Sequence, residues 1–357
     1  MKTILSVLTL LGLLSSAVLA EPAVSFDQKG DLKALSENIK AEVKTTAATG
    51  PRQIHSARTP GFCIFNGKSG SPVAEAASFN AVVGAGDVVF GGETHDQLND
   101  HLAQLEALKA LGLARGEKIV VGFEMLNMTL QPILDEYAAG KLTEEEFLQK
   151  ADWKTEWGFD FNLYKPIFDF IRADKLKALA LNLPKKVVSK IARVGLDGLS
   201  PAEKQYLPAK VEITKNEAYI KFIRDSFEGH GKAFGKTQGD FLRQYILGKP
   251  KKGMADFTFE NYLAAMSAWN ESMGSRLADF LNANPGFAGM TIAGAGHVIY
   301  NAGIPASVAS RTSGLRGVSF YPVDADACPA ALPAGDAGLA DYVWYIPHAA
   351  QDAGAKK

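Results

Sequence analysis

The fold is decided by residues 87–124, which read DVVFGGETHDQLNDHLAQLEALKALGLARGEKIVVGFE. This stretch opens with a short apolar run at 87–90 and closes with another at 118–123. Each run has the length and composition of a buried strand. Between them, leucines recur at helical spacing over 97–114, which predicts an amphipathic helix. A strand–helix–strand unit of this kind places its two strands parallel in one sheet.

The same rhythm continues along the chain. Further apolar runs predict later strands, at 176–181, 290–293, 317–323 and 342–346. From 185 to about 285 the signals are almost only helical. We therefore expect an α/β fold, a mainly parallel sheet flanked by helices, with a helical insertion at about 185–285.

The first twenty residues have the pattern of a secretory signal. A positive start is followed by an apolar stretch from Ile4 to Leu14 and by small residues that end at Ala20. A retained membrane anchor is the alternative, but the apolar stretch is short for a membrane span. We expect cleavage after Ala20 and an exported protein, periplasmic or secreted, with no membrane span after cleavage.

The rest of the chain divides by composition. Residues 21–60 are polar and mixed, and they predict an N-terminal extension with a short helix at 31–43. The α/β domain is expected over 61–347, and residues 348–357 are expected to form a loose tail.

Charge excludes some classes of partner. The 357 residues carry 38 Lys and Arg against 39 Asp and Glu, and there is no polybasic run. This balance argues against a nucleic-acid partner and against binding to an acidic membrane surface.

The chain has two cysteines, Cys63 and Cys328, and both lie in the exported part. A disulfide between them is the simplest interpretation for an oxidising compartment, and two separate buried thiols are the alternative. Because the loop closed would be long, the bond should contribute about 4–5 kcal/mol to stability. Neither cysteine lies in a CxxC or near a histidine cluster, so we assign them no metal role.

Polar side chains lie at the ends of the predicted strands. Glu93 and His95 follow the first strand at i and i+2, Glu124 follows the second, and His297 follows the run at 290–293. The carboxyl ends of parallel strands share one edge of the sheet, where open α/β sheets bind ligands. We therefore expect these four side chains to form one site. Asn182, at the end of a further strand, either closes a turn or touches the site.

Two chemistries suit these four side chains. Neutral imidazoles and carboxylates bind divalent transition metals such as zinc or iron. Alternatively, one histidine acts as a general base while a glutamate orients its other ring nitrogen. The sequence leaves both open. Asp96 is interpreted as a helix cap in preference to a ligand. The remaining histidines carry no signal of a site: His55, His101, His230 and His348.

Several motifs resemble one family. They are Gly92-Glu93-Thr94-His95-Asp96, Gly122-Phe123-Glu124-Met125, Gly294-Ala295-Gly296-His297-Val298 with Gly303-Ile304-Pro305, Trp157, Tyr164, Asn182-Leu183-Pro184 and Asp341-Tyr342-Val343-Trp344. Over roughly residues 80–347 the chain resembles the ChaN-like haem-binding uptake proteins. These belong to a superfamily that also contains Tiki, TraB and the erythromycin esterases.

The resemblance implies an exported protein that binds haem for haem or iron uptake, with a homodimer as one implied state. It also implies a tyrosine ligand to the iron, and no motif chooses among Tyr164, Tyr245, Tyr262 and Tyr300. The alternative it implies is a hydrolase of ester or peptide bonds, with or without a metal, because other branches use the matching Glu and His motifs for hydrolysis. No Cys follows the apolar stretch of the signal, which argues against a lipid anchor.

Overall fold

The structure is a computed structural model that describes residues 63–73, 76–228 and 258–347. The expected signal peptide, the extension at 21–60 with its helix at 31–43, and the tail at 348–357 lie outside the described residues. Tyr245 lies outside them as well.

The described residues form a seven-stranded sheet, which confirms the expected fold class. Its strands are β1 (Cys63–Asn66), β2 (Val88–Gly91), β3 (Ile119–Asn127), β4 (Lys177–Asn182), β5 (Ala288–Ile292), β6 (Gly317–Ala325) and β7 (Tyr342–Pro347). Their order is β1-β7-β6-β2-β5-β3-β4. The pairing of β1 with β7 is antiparallel, and the other neighbours are parallel.

Helices connect the strands and cover the sheet. They are α1 (Ala76–Ala85), α2 (Leu98–Arg115), α3 (Gln131–Ala138), α4 (Glu144–Lys150), α5 (Trp153–Glu156), α6 (Phe161–Ala173), α7 (Lys185–Val194), α8 (Pro201–Lys204), α9 (Glu217–Phe227), α10 (Phe259–Ala283) and α11 (Ile304–Ala309). Within the described ranges, no helix is long and apolar enough to cross a membrane.

Each face of the sheet has its own hydrophobic core. Successive residues of a strand point to opposite faces, so Val121 joins one cluster and Val120 the other. The first cluster contains Leu108 of α2 and Phe168 of α6. The second contains Trp269 of α10. The central strands are therefore buried on both faces, which explains why they read as continuous apolar runs.

The segment expected to be a helical insertion contains helices α7 to α10 in the parts described, 185–228 and 258–283. Two helices begin with a capping box. Thr143 accepts a hydrogen bond from the Glu146 backbone N–H at the start of α4, and Ser200 does the same with Glu203 at α8.

Cys63 and Cys328 form the expected disulfide, with their Cα atoms 5.7 Å apart. The bond joins β1 to the segment that follows β6. The alternative of two separate buried thiols is therefore wrong.

Candidate functional site

The structure brings Glu93, His95, Glu124 and His297 together at the carboxyl edge of the sheet. Glu93 and His95 follow β2, and His297 lies in a short 3-10 turn after β5. All four side chains are buried, and His95 has the largest exposed fraction, 3%. The site is thus a closed polar cluster at the edge of the sheet.

The position of Glu124 differs in detail from the expectation. It lies inside β3, which continues to Asn127, and does not follow the strand. However, β3 pairs with β5 only as far as Phe123, and its register with β4 shifts between Phe123 and Asn127. Glu124 therefore stands where regular pairing stops, and its side chain can turn into the site.

Glu93 is the centre of the first half of the site. His95 Nδ1 lies 2.9 Å from Glu93 Oε1, and the Tyr164 hydroxyl donates to the same oxygen at 2.8 Å. Gln104 Nε2 donates to Glu93 Oε2 at 2.9 Å. Burial by itself would raise the pKa of Glu93, but the charges and hydrogen bonds of His101 and His95 lower it below its usual range. Glu93 is therefore an ionised acceptor that orients the His95 ring.

Glu124 and His297 form the second half. His297 Nε2 lies 3.2 Å from Glu124 Oε1, although the angles between them are not those of a hydrogen bond. The backbone N–H of Gly294 donates to Glu124 Oε2 at 2.6 Å. Burial would raise the pKa of Glu124, but His297, His95 and this N–H lower it. His297 Nδ1 lies 2.7 Å from Asn270 Oδ1, and the ring packs against Trp269.

The two halves meet at Gly294. A Cβ atom there would lie 2.6 Å from His95 Cε1 and 3.4 Å from Glu124 Oε2. Any larger residue would push the His95 ring out of place, so the close approach requires glycine. The His95 ring and the Glu124 carboxylate therefore border the same small space.

The two secondary residues behave differently. Asn182 touches the site, because its Nδ2 donates to the backbone oxygen of Glu124 at 2.7 Å. Asp96 does not cap α2, since the N-cap is Gln97 and the Asp96 carboxylate instead accepts from the Gln97 side chain at 3.2 Å. Asp100, in the first turn of α2, instead accepts from the Thr94 N–H at 2.6 Å and stabilises the turn before the helix. The cap prediction for Asp96 was therefore wrong.

Sequence reasoning missed the residues that support the four. His101 and Gln104 of α2 hold Glu93, while Asn270 of α10 contacts His297 and donates to the hydroxyl of Tyr219 in α9. One signal was available in the sequence. His101 and Gln104 are polar residues one helical turn apart, on a face of α2 that is otherwise apolar.

The geometry bears on the metal alternative. Glu124 Oε1 and His297 Nε2 are buried atoms that could ligate a metal, and they have no hydrogen-bond partner among the described residues. Two such atoms are fewer than the three or four protein ligands that zinc takes. In the ranges that the structure describes, no group of three or more His, Cys, Asp or Glu side chains is arranged to hold a metal ion.

Asp100 makes stability depend on pH. Burial raises the pKa of its carboxyl to about 8, against the lowering effect of the Thr94 hydrogen bond. An unfolded chain would lose this proton near the ordinary value of about 3.9. The folded chain keeps it, so its stability should decline as pH rises from about 4 to 8.

Asp100→Asn should remove this decline, since the amide oxygen can still accept from Thr94 and carries no charge. Denaturant unfolding at a series of pH values would measure it. We expect the variant to be more stable than the wild type at pH 8, and the two to converge near pH 4. Equal stability at both pH values would contradict the prediction.

The chain matches the sequence model of a protein family. The model described as "Haem-binding uptake, Tiki superfamily, ChaN" matches residues 81–308, more than half of the sequence. The chain belongs to this family. The matched range of this ChaN-family protein contains all four site residues as well as His101 and Asn270. A comparison with curated proteins finds no match.

Two solved structures are similar to this ChaN-family protein. The first is described as cofacial heme binding to ChaN of Campylobacter jejuni, with a TM-score of 0.55 and 17% identity, over 79% of this chain and 96% of that one. The second is an erythromycin esterase mutant in its open conformation, with a TM-score of 0.37 and 12% identity, over 70% of this chain and 74% of that one. At these identities, the first likeness shows a shared fold.

Proposed function

We propose that this protein is exported and binds haem for haem or iron uptake. The observation that carries the proposal is membership of the haem-binding uptake family, over a range that includes the whole polar site. The disulfide supports export, because such bonds persist in oxidising compartments. Mass spectrometry of protein from the periplasmic fraction should find an amino terminus at Glu21, while a retained Met1 would contradict cleavage.

The geometry restricts where haem would lie. Glu93, His95, Glu124 and His297 are at most 3% exposed and already contact one another or the surrounding protein. A macrocycle does not fit among side chains that are packed in this way. Haem is therefore expected outside the cluster, with its iron held by a residue nearer the surface.

Tyr300 is the tyrosine that suits this role. Tyr164 and Tyr262 are fully buried, and Tyr164 donates to Glu93. Tyr300 is partly exposed and follows His297 by three residues. Its phenol is of the type that ligates haem iron in proteins such as catalase. Lys221 of α9 interacts electrostatically with Tyr300 and is largely exposed, and its ammonium, which pairs with Asp225 at 2.6 Å, would have to exchange that partner to bind a haem carboxylate.

The backbone at Tyr300 is also unusual. Tyr300 and Asn301 both have left-handed conformations, with φ of 57° and 54°. Such conformations cost about 1–3 kcal/mol for residues with a side chain, and they concentrate at functional sites. The N–H of Tyr300 donates to the Leu339 oxygen at 2.6 Å, which helps to hold the segment in place.

Titration of the purified protein with haemin tests the proposal. We expect a saturable change in the Soret band at micromolar protein, and at least about a tenfold weaker affinity, or about 1.4 kcal/mol, for Tyr300→Phe. Tyr137→Phe is the control, because Tyr137 lies in the core on the other face of the sheet from Tyr300 and its hydroxyl has no hydrogen-bond partner among the described residues, so binding should be unchanged. No saturable change in the wild type would count against haem binding. An unchanged Tyr300→Phe would reject only the ligand assignment.

Light scattering of the same samples addresses the implied homodimer. If two subunits enclose haem between them, the mass should double as haemin saturates the protein. A mass that stays at that of one subunit would contradict the dimer.

A hydrolase remains the second candidate, and one observation favours it. A buried carboxylate lies against Nδ1 of His95, as in catalytic triads where an acid orients a histidine base. Ester and peptide substrates should be screened with and without added divalent metals. His95→Ala and Glu93→Ala should each remove any activity found. Activity that survives both substitutions, or no activity on any substrate, would contradict the hydrolase hypothesis.

A further inference from the structure

The orientation of the Gln104 side chain is determined by its surroundings. Its Nε2 lies 2.9 Å from Glu93 Oε2 and 3.1 Å from the backbone oxygen of Gly91. Both atoms accept hydrogen bonds, so the amide nitrogen must face them. The other end of the amide, Oε1, therefore faces His101 as an acceptor.

His101 has acceptors at both ring nitrogens. Its Nδ1 lies 3.2 Å from Gln104 Oε1 and 3.4 Å from Glu93 Oε2. Its Nε2 lies 3.2 Å from the backbone oxygen of His95. A carbonyl oxygen only accepts, so each nitrogen must carry a proton. This count holds whichever oxygens of Glu93 are engaged.

We propose that His101 is a buried imidazolium that carries a proton on each ring nitrogen at neutral pH, and that it is the positioning residue of the site. It is 2% exposed, and its counter-charge is Glu93. Through Nε2 it also holds the backbone of His95. One side chain therefore balances the charge of Glu93 and positions the loop that carries His95.

The consequence falls on His95. Glu93 shares its two oxygens, Oε2 towards His101 and Gln104, and Oε1 towards His95 and Tyr164. Because His101 already balances the carboxylate, His95 need not be a cation as well. Its Nδ1 proton then points to Glu93, and its Nε2 lies on the side of Gly294, 3.0 Å from where a Cβ would stand.

His297 differs from His101 although both are buried. The Tyr219 hydroxyl donates to the Gly296 oxygen at 2.7 Å and accepts from Asn270 Nδ2 at 2.8 Å. Asn270 Oδ1 must then face His297 Nδ1, which carries a proton. The second nitrogen of His297 lies 3.2 Å from Glu124 Oε1 without the angles of a hydrogen bond, whereas both nitrogens of His101 have hydrogen-bond acceptors.

The electrostatics agree with the hydrogen bonds. Burial opposes the charge on His101, yet the charge of Glu93 and the hydrogen bonds to Glu93 and to the His95 backbone oxygen raise its pKa above the ordinary value. An isolated buried imidazolium would be costly, and its partner within 3.4 Å makes it tolerable.

Nitrogen NMR of the imidazole rings tests the assignment in the wild-type protein. The ring signals are assigned through bonds from the backbone. At neutral pH, both ring nitrogens of His101 should have the chemical shift of a protonated nitrogen. His95 should have one protonated and one unprotonated nitrogen. A His101 ring with one unprotonated nitrogen would overturn the proposal. The result does not depend on haem binding, so either claim can fail while the other stands.

His101→Gln tests the positioning role. Glu93 then loses its cation, and we expect His95 to take up a second proton, so that its Nε2 signal moves to the protonated type. Lys109→Gln is the matched control. It removes a cation from the same helix, but Lys109 pairs with Glu106 and not with Glu93. Unchanged His95 signals in a folded His101→Gln protein would overturn the role. If that variant does not fold, the wild-type spectrum still decides the charge of His101.

Discussion

Glu93→Gln is expected to lower the free energy of unfolding by about 3–5 kcal/mol, the usual result of breaking a buried ion pair from one side. Glu93 accepts from His95, Tyr164 and Gln104. An amide of the same shape has only one oxygen, so its NH₂ end would face a donor. The substitution also leaves His101 as a buried cation without its counter-charge. Denaturant unfolding of the variant and the wild type measures the loss.

Two further variants make this prediction specific. Glu145→Gln, on the exposed surface of α4, should change stability by less than about 0.5 kcal/mol. Combining Glu93→Gln with His101→Gln removes both charges, so the double variant should be more stable than Glu93→Gln alone. Simple addition of the two single losses would mean that the residues are not an ion pair.

Loss of the Cys63–Cys328 disulfide should have an effect of similar size. The bond joins residues 265 positions apart, and for a loop of this length the chain-entropy model gives about 5–6 kcal/mol, slightly above the value expected from the sequence. We expect the double variant Cys63→Ser, Cys328→Ser to unfold at a lower denaturant concentration. Its free energy of unfolding should be lower by this amount.

Reduction of the wild type provides the control for that experiment. The reduced protein and the double serine variant should unfold alike, because both lack the same cross-link. If reduction leaves the unfolding midpoint unchanged, the bond contributes little and the loop argument fails for this chain.

The polar site could be predicted in outline because it follows from a rule about strands. Glu93, His95 and His297 come directly after apolar runs, and parallel strands bring their carboxyl ends to one edge. Glu124 belonged to the same prediction, although it lies inside β3 at the end of its regular pairing with β5. The Gly294 motif predicted a tight turn but not its contact with the His95 ring.

The support for the site could not be predicted in the same way. His101 and Asn270 lie on long helices, and the sequence does not say which helical face meets the sheet edge. The packing of these helices decides the chemistry of the site. The acceptors around His101 make it a cation, and Asn270 determines which nitrogen of His297 carries a proton.

By itself, the sequence determined the mainly parallel α/β sheet and the identity of the four clustered side chains, and it favoured a disulfide between the two cysteines over two separate thiols. These depend on apolar runs, on residue order and on cysteine number, which are properties of the chain. Only the tertiary structure decided that Tyr164 is buried against Glu93 while Tyr300 is partly exposed, and that His101 has two acceptors. Exposure and hydrogen-bond partners depend on how separate elements pack, and spacing along the chain does not contain that information.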